Sequence, residues 1–276
     1  MKAEIVKYHA SLQDFCKLSD LAISISKYTH GREVESWKLE YGSYTFTKIC
    51  LHTVSLRKIL PPMKSNSNNP GYEFWDISSI ASLIRSIIDT YYAFYYLSVD
   101  ERSDEEDLLR KLIWDYHGEK QRLDLLTKIR SSNPAVIELK SYTENLKKKI
   151  EENDNFKKLN SNQKKQIIKG KVALLLTNSE ISARVGIDSN YYKANFNSLS
   201  AYTHAHPFAV SQLSNFRAGS NEAINLINSN IETCTGYLSL AIKEMVGLFL
   251  DQKTKIDPYS NEVIEKWKYI FKNFNE

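Results

Sequence analysis

Glycine and proline are scarce, 9 and 6 in 276 residues, too few for the regularly spaced tight turns of a β-sandwich or barrel. Long helices satisfy the backbone with fewer turns. Cysteine is scarcer still: Cys16, Cys50 and Cys234 are odd in number, far apart and set beside apolar residues at helical spacing. They are expected to be buried thiols of a reducing compartment, not a disulfide framework. No stretch approaches the roughly 18 consecutive apolar residues of a membrane span, because the longest, 237–250, is broken by Lys243 and Glu244. The opening MKAEIVKYHASLQDF also lacks the continuous apolar core of a signal peptide. These absences predict a cytoplasmic chain without a membrane partner.

The motifs of the commonest enzymes are missing too. There is no H-E-x-x-H, no paired C-x-x-C, no phosphate-cradling G-x-x-x-x-G-K and no G-x-S-x-G. No metal and no cofactor is therefore expected. Arginine is sparse: 28 of the 37 basic residues are lysine and the formal charge is only +4. Lysine is the poorer partner for bidentate phosphate recognition, so a dedicated, sequence-specific duplex DNA binder is disfavoured.

What the chain does hold is helical periodicity over nearly its whole length. With 42% hydrophobic and 25% charged residues it lies in the ordinary globular range. Leu12, Phe15, Cys16, Leu21, Ala22 and Ile25 recur at three- and four-residue intervals, the stripe of one helix over 11–28. A second helix is expected over 33–60, with Trp37, Tyr41, Tyr44, Leu51 and Leu56 as its apolar face, ended by Pro61 and Pro62 before a loop, KSNSNNPG. Asp76 then stands as an N-cap before ISSIASLIRSIIDTYYAFYYL, whose apolar band is too wide for a surface helix. This is the predicted central helix. Ser103 and Glu106 suggest a capping box for a helix to about Arg130, and Pro134 opens the next. From 147 to 171 lysines alternate with acidic and asparagine residues, read as a solvated helical excursion or linker. Further helices are expected near 178–186, 190–203, 221–251 and 263–271. The expected architecture is all-α: one domain over 1–276 with its core bundle around 76–252.

Chemistry concentrates in two places. The first is NFNSLSAYTHAHP, 195–207, where Phe196, Leu199, Tyr202 and Thr203 take helical spacing and leave Asn197, Ser200 and His204 together on a neighbouring face. His204 would occupy the last turn, as a C-terminal cap or as a proton-transfer group. His206 precedes Pro207, which forces it into extended backbone and is expected to turn it away. Two histidines at i and i+2, with no partnering cysteine or carboxylate nearby, make a poor zinc site. The second place is Arg85 with Asp89, four residues apart on one face of the central helix. Either they form a structural ion pair, or Asp89 holds a functional arginine in place. Tyr92 continues that face as a hydroxyl donor, and Arg184 is a weaker candidate, most simply read as a surface salt bridge.

ISSIASLIRSIIDTYYAFYYL followed by ISARVGIDSNYYKANFNSLSAYTHAHP resembles a group of uncharacterised bacterial proteins that share an L-x-R-s helix and a later Y-x-x-L-S-x-Y-x-H-P segment. That group in turn resembles the HEPN superfamily, helical bundles of toxin–antitoxin and antiphage systems. The likeness covers about 76–212. It implies a HEPN-like antiparallel bundle with added N- and C-terminal helices, self-association or a partner protein, and metal-independent RNA cleavage by an arginine and a histidine on one helix with four to six residues between them. With six residues between it and His204, Asn197 stands where that motif has arginine. On the resemblance, His204 would be the acid or base, Arg85 the phosphate clamp held by Asp89, and Asn197 and Tyr202 substrate-orienting groups. The competing reading, favoured by the missing arginine, is a noncatalytic module that binds a protein or a nucleotide.

Overall fold

A computed structural model describes residues 2–61, 75–204, 206–249, 251 and 256–273. Among these residues there are twelve α-helices and no strand: α1 (Lys2–Thr29), α2 (Trp37–Ile59), α3 (Ile77–Phe94), α4 (Asp104–Lys128), α5 (Ala135–Glu152), α6 (Asp154–Lys158), α7 (Ser161–Ile168), α8 (Asn178–Val185), α9 (Ser189–Thr203), α10 (Pro207–Gln212), α11 (Asn221–Leu248) and α12 (Pro258–Lys272), with a π-helical turn at Tyr95–Val99. None of the described helices is long and apolar enough to cross a membrane. The loop expected at 64–71 lies outside the described residues. The chain divides into two compact units, one of Met1–Val99 with Asn178–Glu276, the other of Asp100–Thr177.

In the first unit α3 packs against α2, α8, α9 and α11, and α1 packs against α2, α11 and α12. That position explains the breadth of the apolar band on α3: Ile80, Ile84, Ile87, Ile88, Tyr91 and Phe94 are all buried on a helix covered from several sides. Polar N-caps set where the helices begin. Asp76 accepts from the Ser79 amide at 2.9 Å, and Asp188, Ser220 and Asp257 cap α9, α11 and α12 in the same way. Each such cap is worth about 1 kcal/mol.

The sequence misplaces the buried face of α2. Gly42, Thr45, Phe46, Ile49, Cys50, Thr53 and Leu56 are inside, whereas Tyr44 and Leu51 are exposed. Trp37 and Tyr41 are half-buried and the three aromatics contact one another edge-on, Trp37 with Tyr41 and Tyr41 with Tyr44. Gly42 is inside because a Cβ there would press on Ser98 and Leu248. Gly236 of α11 has the same purpose more acutely: the ring of Phe271 from α12 lies where its Cβ would stand.

The second unit is built on the α4–α5 pair with α6 and α7. Its core is Leu109, Leu112, Ile113, Tyr116, Leu146, Ile150, Phe156 and Ile167. The Lys-rich stretch 147–171 lies inside this unit and is helical for most of its length. Ser103 caps α4, accepting from the Glu106 amide, but Glu106 does not complete the box. Its carboxylate turns to Arg110 at 2.8 Å and Arg102 at 3.4 Å. Arg110 is 1% exposed and also donates to Asp100 at 2.9 Å. A buried guanidinium needs such partners, and they draw Glu106 away from the helix terminus.

Candidate functional site

Arg85 lies at the middle of α3, on the side that faces α9. Its Nε donates to Oδ2 of Asp89 at 3.1 Å, the pair expected from their i, i+4 spacing. Asp89 is fixed from its other oxygen, which accepts from Nδ2 of Asn178 at the start of α8 at 2.9 Å. Nη1 of Arg85 crosses to α9 and donates to the hydroxyl of Ser200. The guanidinium lies 3.5 Å over the ring of Phe196, one turn before Ser200. One turn before Arg85 on α3, Ser82 donates to the hydroxyl of Thr203 at 3.3 Å, so the two helices meet along a polar seam.

This geometry holds the arginine without enclosing it. Its side chain is 20% exposed. A guanidinium has five N–H groups; one on Nε and one on Nη1 are engaged, which leaves three without a partner among the described residues. The stacked ring of Phe196 confines the group to a plane, and the Asp89–Asn178 arm sets its rotation in that plane. Such a preorganised, partly solvated fork is suited to an anion. Tyr192 packs beside Phe196, ring centroids 5.2 Å apart. Burial pushes its phenol up, opposed by the charge of Arg85 and reinforced by that of Asp89.

On α9, Asn197 is exposed beside Ser200. His204 is the C-cap: its amide donates to the Ser200 carbonyl at 3.0 Å, and its imidazole is exposed. His206 is not turned away as its extended backbone suggests. It is the N-cap residue of α10, its amide donates to the Ala201 carbonyl at 3.2 Å, and its ring centroid lies 6.1 Å from that of His204. No cluster of three or more histidine, cysteine, aspartate or glutamate side chains that could hold a metal occurs among the described residues.

Two expected contributors stand elsewhere. Tyr202 is buried, donates to Gln212 at 2.7 Å and contacts the rings of Phe208 and Phe216. Two residues on a helix turn the side chain by about 200°, so Tyr202 and Ser200 leave α9 on opposite sides. Tyr92 is buried and its hydroxyl is paired with that of Tyr237 at 2.5 Å, which removes it as a free donor. Arg184 is on α8, where its backbone carbonyl accepts from Tyr95 at 3.4 Å. Sequence reasoning missed Asn178 and the platform role of Phe196. The latter is read as part of the apolar stripe of α9, and only the fold reveals what covers it.

The fold and this seam define an all-helical protein in which an oriented, partly exposed arginine on one helix faces a serine- and histidine-bearing helix. The chain belongs to a family of unknown function, DUF5677, which it matches over residues 65–223. That span holds Arg85, Asp89, Asn178, Phe196, Ser200, His204 and His206. No curated protein and no solved structure matches the chain.

Proposed function

We propose that the α3–α9 seam binds the phosphodiester backbone of RNA and cleaves it without a metal, in a HEPN-like effector of the defence or toxin type. The observation that carries this reading is the contact of Arg85 with Ser200 and Phe196. It brings an oriented guanidinium to the helix of Asn197 and His204, at which the resembled motif's own arginine is replaced by Asn197. In cleavage of this kind the 2′-oxygen attacks phosphorus as the bond to the 5′-oxygen breaks, and negative charge grows on the non-bridging oxygens. The three uncommitted N–H groups of Arg85 would bind those oxygens, Asp89 would keep the fork oriented, Asn197 would add a neutral donor, and His204 would accept the 2′-OH proton. Tyr202 has no substrate role in this scheme and fixes α10.

The test is incubation of the full chain with single-stranded RNA in excess chelator. Cleavage is expected to leave 2′,3′-cyclic phosphate and 5′-OH ends and to be lost in both Arg85→Ala and His204→Ala. Intact RNA with wild-type protein, or undiminished cleavage by either variant, removes the reading.

A noncatalytic interaction module is the second reading, favoured by one observation. Phe208 and Val210 of α10, with Leu213 just beyond it, are 57%, 51% and 61% exposed. Apolar side chains this close together on a surface suit self-association or a partner protein. Unchanged sedimentation of a Phe208→Ser, Leu213→Ser variant relative to a wild-type oligomer, or a monomeric wild type with no partner, argues against it.

A further inference from the structure

Cleavage at a 2′-hydroxyl needs two proton transfers, one from the attacking oxygen and one to the leaving oxygen. His204 alone is placed for the first. Its exposed ring has one ring neighbour among the described residues, His206, at 6.1 Å between centroids with the planes tilted by 33°. Both histidines are held by the chain around them: His204 as the C-cap of α9, with its amide on Ser200, and His206 as the N-cap residue of α10, with its amide on Ala201. Pro207 fixes the start of α10, so the backbone positions of the two histidines are set by two helix ends. Two exposed imidazoles with ring centroids 6.1 Å apart, at the end of the helix whose Ser200 takes Arg85, are an arrangement in which one can take a proton while the other gives one.

We propose that His206 is the second proton-transfer residue of the seam, the general acid that protonates the leaving 5′-oxygen while His204 removes the proton from the 2′-OH. This rests on the RNA-cleavage reading above. In the step the phosphorus–2′-oxygen bond forms and the phosphorus–5′-oxygen bond breaks. The 2′-OH proton passes to neutral His204, and the proton of cationic His206 passes to the departing alkoxide. The products are a 2′,3′-cyclic phosphate and a free 5′-OH, and a water-mediated proton exchange between the two histidines restores the starting states. No oxidant, reductant or further reactant is consumed.

The experiment compares two substrates that differ in the need for an acid. The dinucleotide UpA has an alkoxide leaving group, whereas uridine 3′-(4-nitrophenyl phosphate) releases a phenolate that needs no proton. His206→Ala is expected to slow UpA cleavage by about 100-fold or more, in the range of a lost general acid, and to leave the aryl ester within about threefold of wild type. His204→Ala is expected to slow both. Equal losses by His206→Ala on the two substrates, or no loss on UpA, overturn the assignment of His206 and leave the RNA-cleavage reading standing. No cleavage of either substrate by the wild type overturns both. Circular dichroism and the melting temperature of His206→Ala are expected to match wild type, since the ring is exposed.

Discussion

Arg85 of α3 donates to Ser200 of α9 across 115 residues of sequence. The contact joins what the chain separates: an oriented guanidinium on the central helix and a polar helix that ends at His204. Asp89, Asn178 and Phe196 leave the guanidinium few alternatives, and Asn197 and His204 on the facing helix are exposed. Surface pairs such as Arg85–Asp89, with side chains 20% and 44% exposed, contribute only about 0–1 kcal/mol to stability. The arrangement is therefore better understood as orientation than as a support of the fold.

Gly236 is expected to tolerate no side chain. Phe271 fills the space of its Cβ, and the same ring contacts Tyr237 at 4.7 Å and Tyr191 at 5.0 Å, so it cannot withdraw without disturbing both. Gly236→Ala should destabilise the first unit by about 1–3 kcal/mol, although alanine is the better helix former by about 1 kcal/mol. Urea denaturation measures this. A more stable Gly236→Ala protein would show that α12 can shift freely.

Glu244 should make stability fall with rising pH. It is half-buried on α11, its carboxyl meets the Tyr91 hydroxyl at 3.1 and 3.2 Å, and burial pushes it up to about 8, against the hydrogen bond from Tyr91 and the charge of Lys272. The folded protein then keeps a proton that the unfolded chain releases near pH 4.5. This group's contribution is complete below about pH 4.5, is lost progressively as the pH rises to about 8 and is constant beyond. Glu244→Gln mimics the protonated form. Its melting temperature should exceed that of wild type at pH 9 and the two should converge by pH 5; parallel curves would contradict the assignment.

Arg110 anchors the second unit. Removing it by Arg110→Ala takes a cationic partner from Asp100, buried at 8% exposure, and opens a cavity in the core. Breaking a buried pair from one side costs roughly 3–5 kcal/mol. Hydrogen exchange should show lost protection in α4 with the α3 amides of the first unit unchanged. Uniform loss across both units, or none, would disprove this.

Local chemistry was legible in the sequence. Asp76 and Ser103 mark helix starts because a side-chain oxygen before an apolar-periodic run satisfies amides that otherwise have no partner. The Arg85–Asp89 pair follows from helical spacing, and the breadth of the α3 band announces burial on several sides. What failed depends on neighbours distant in sequence. Tyr44 and Leu51 were assigned inward on composition, but the close approach of Ser98 and Leu248 to Gly42 decides which face of α2 is inside. Glu106 was assigned to a capping box until Arg110, one turn on, proved to be buried and in need of a carboxylate. The resemblance gives Tyr202 a substrate-orienting role, yet its hydroxyl is taken by Gln212. His206 was set apart on backbone grounds, and the position of α10 brings its ring back beside His204.

The central claim, that Arg85 lends its charge to α9 for phosphodiester cleavage, is tested most directly by chemical rescue. RNA cleavage is measured in chelator with wild type, Arg85→Ala and Asn197→Ala, with and without millimolar guanidinium chloride at constant ionic strength. Arg85→Ala leaves the Phe196 ring, Ser200 and Asp89 as a socket of guanidinium size. The expected result is cleavage lost in Arg85→Ala and partly restored by guanidinium in a saturable way, with no gain for wild type or Asn197→Ala. Cleavage that persists in Arg85→Ala, or a wild-type protein that leaves RNA intact, would contradict the account.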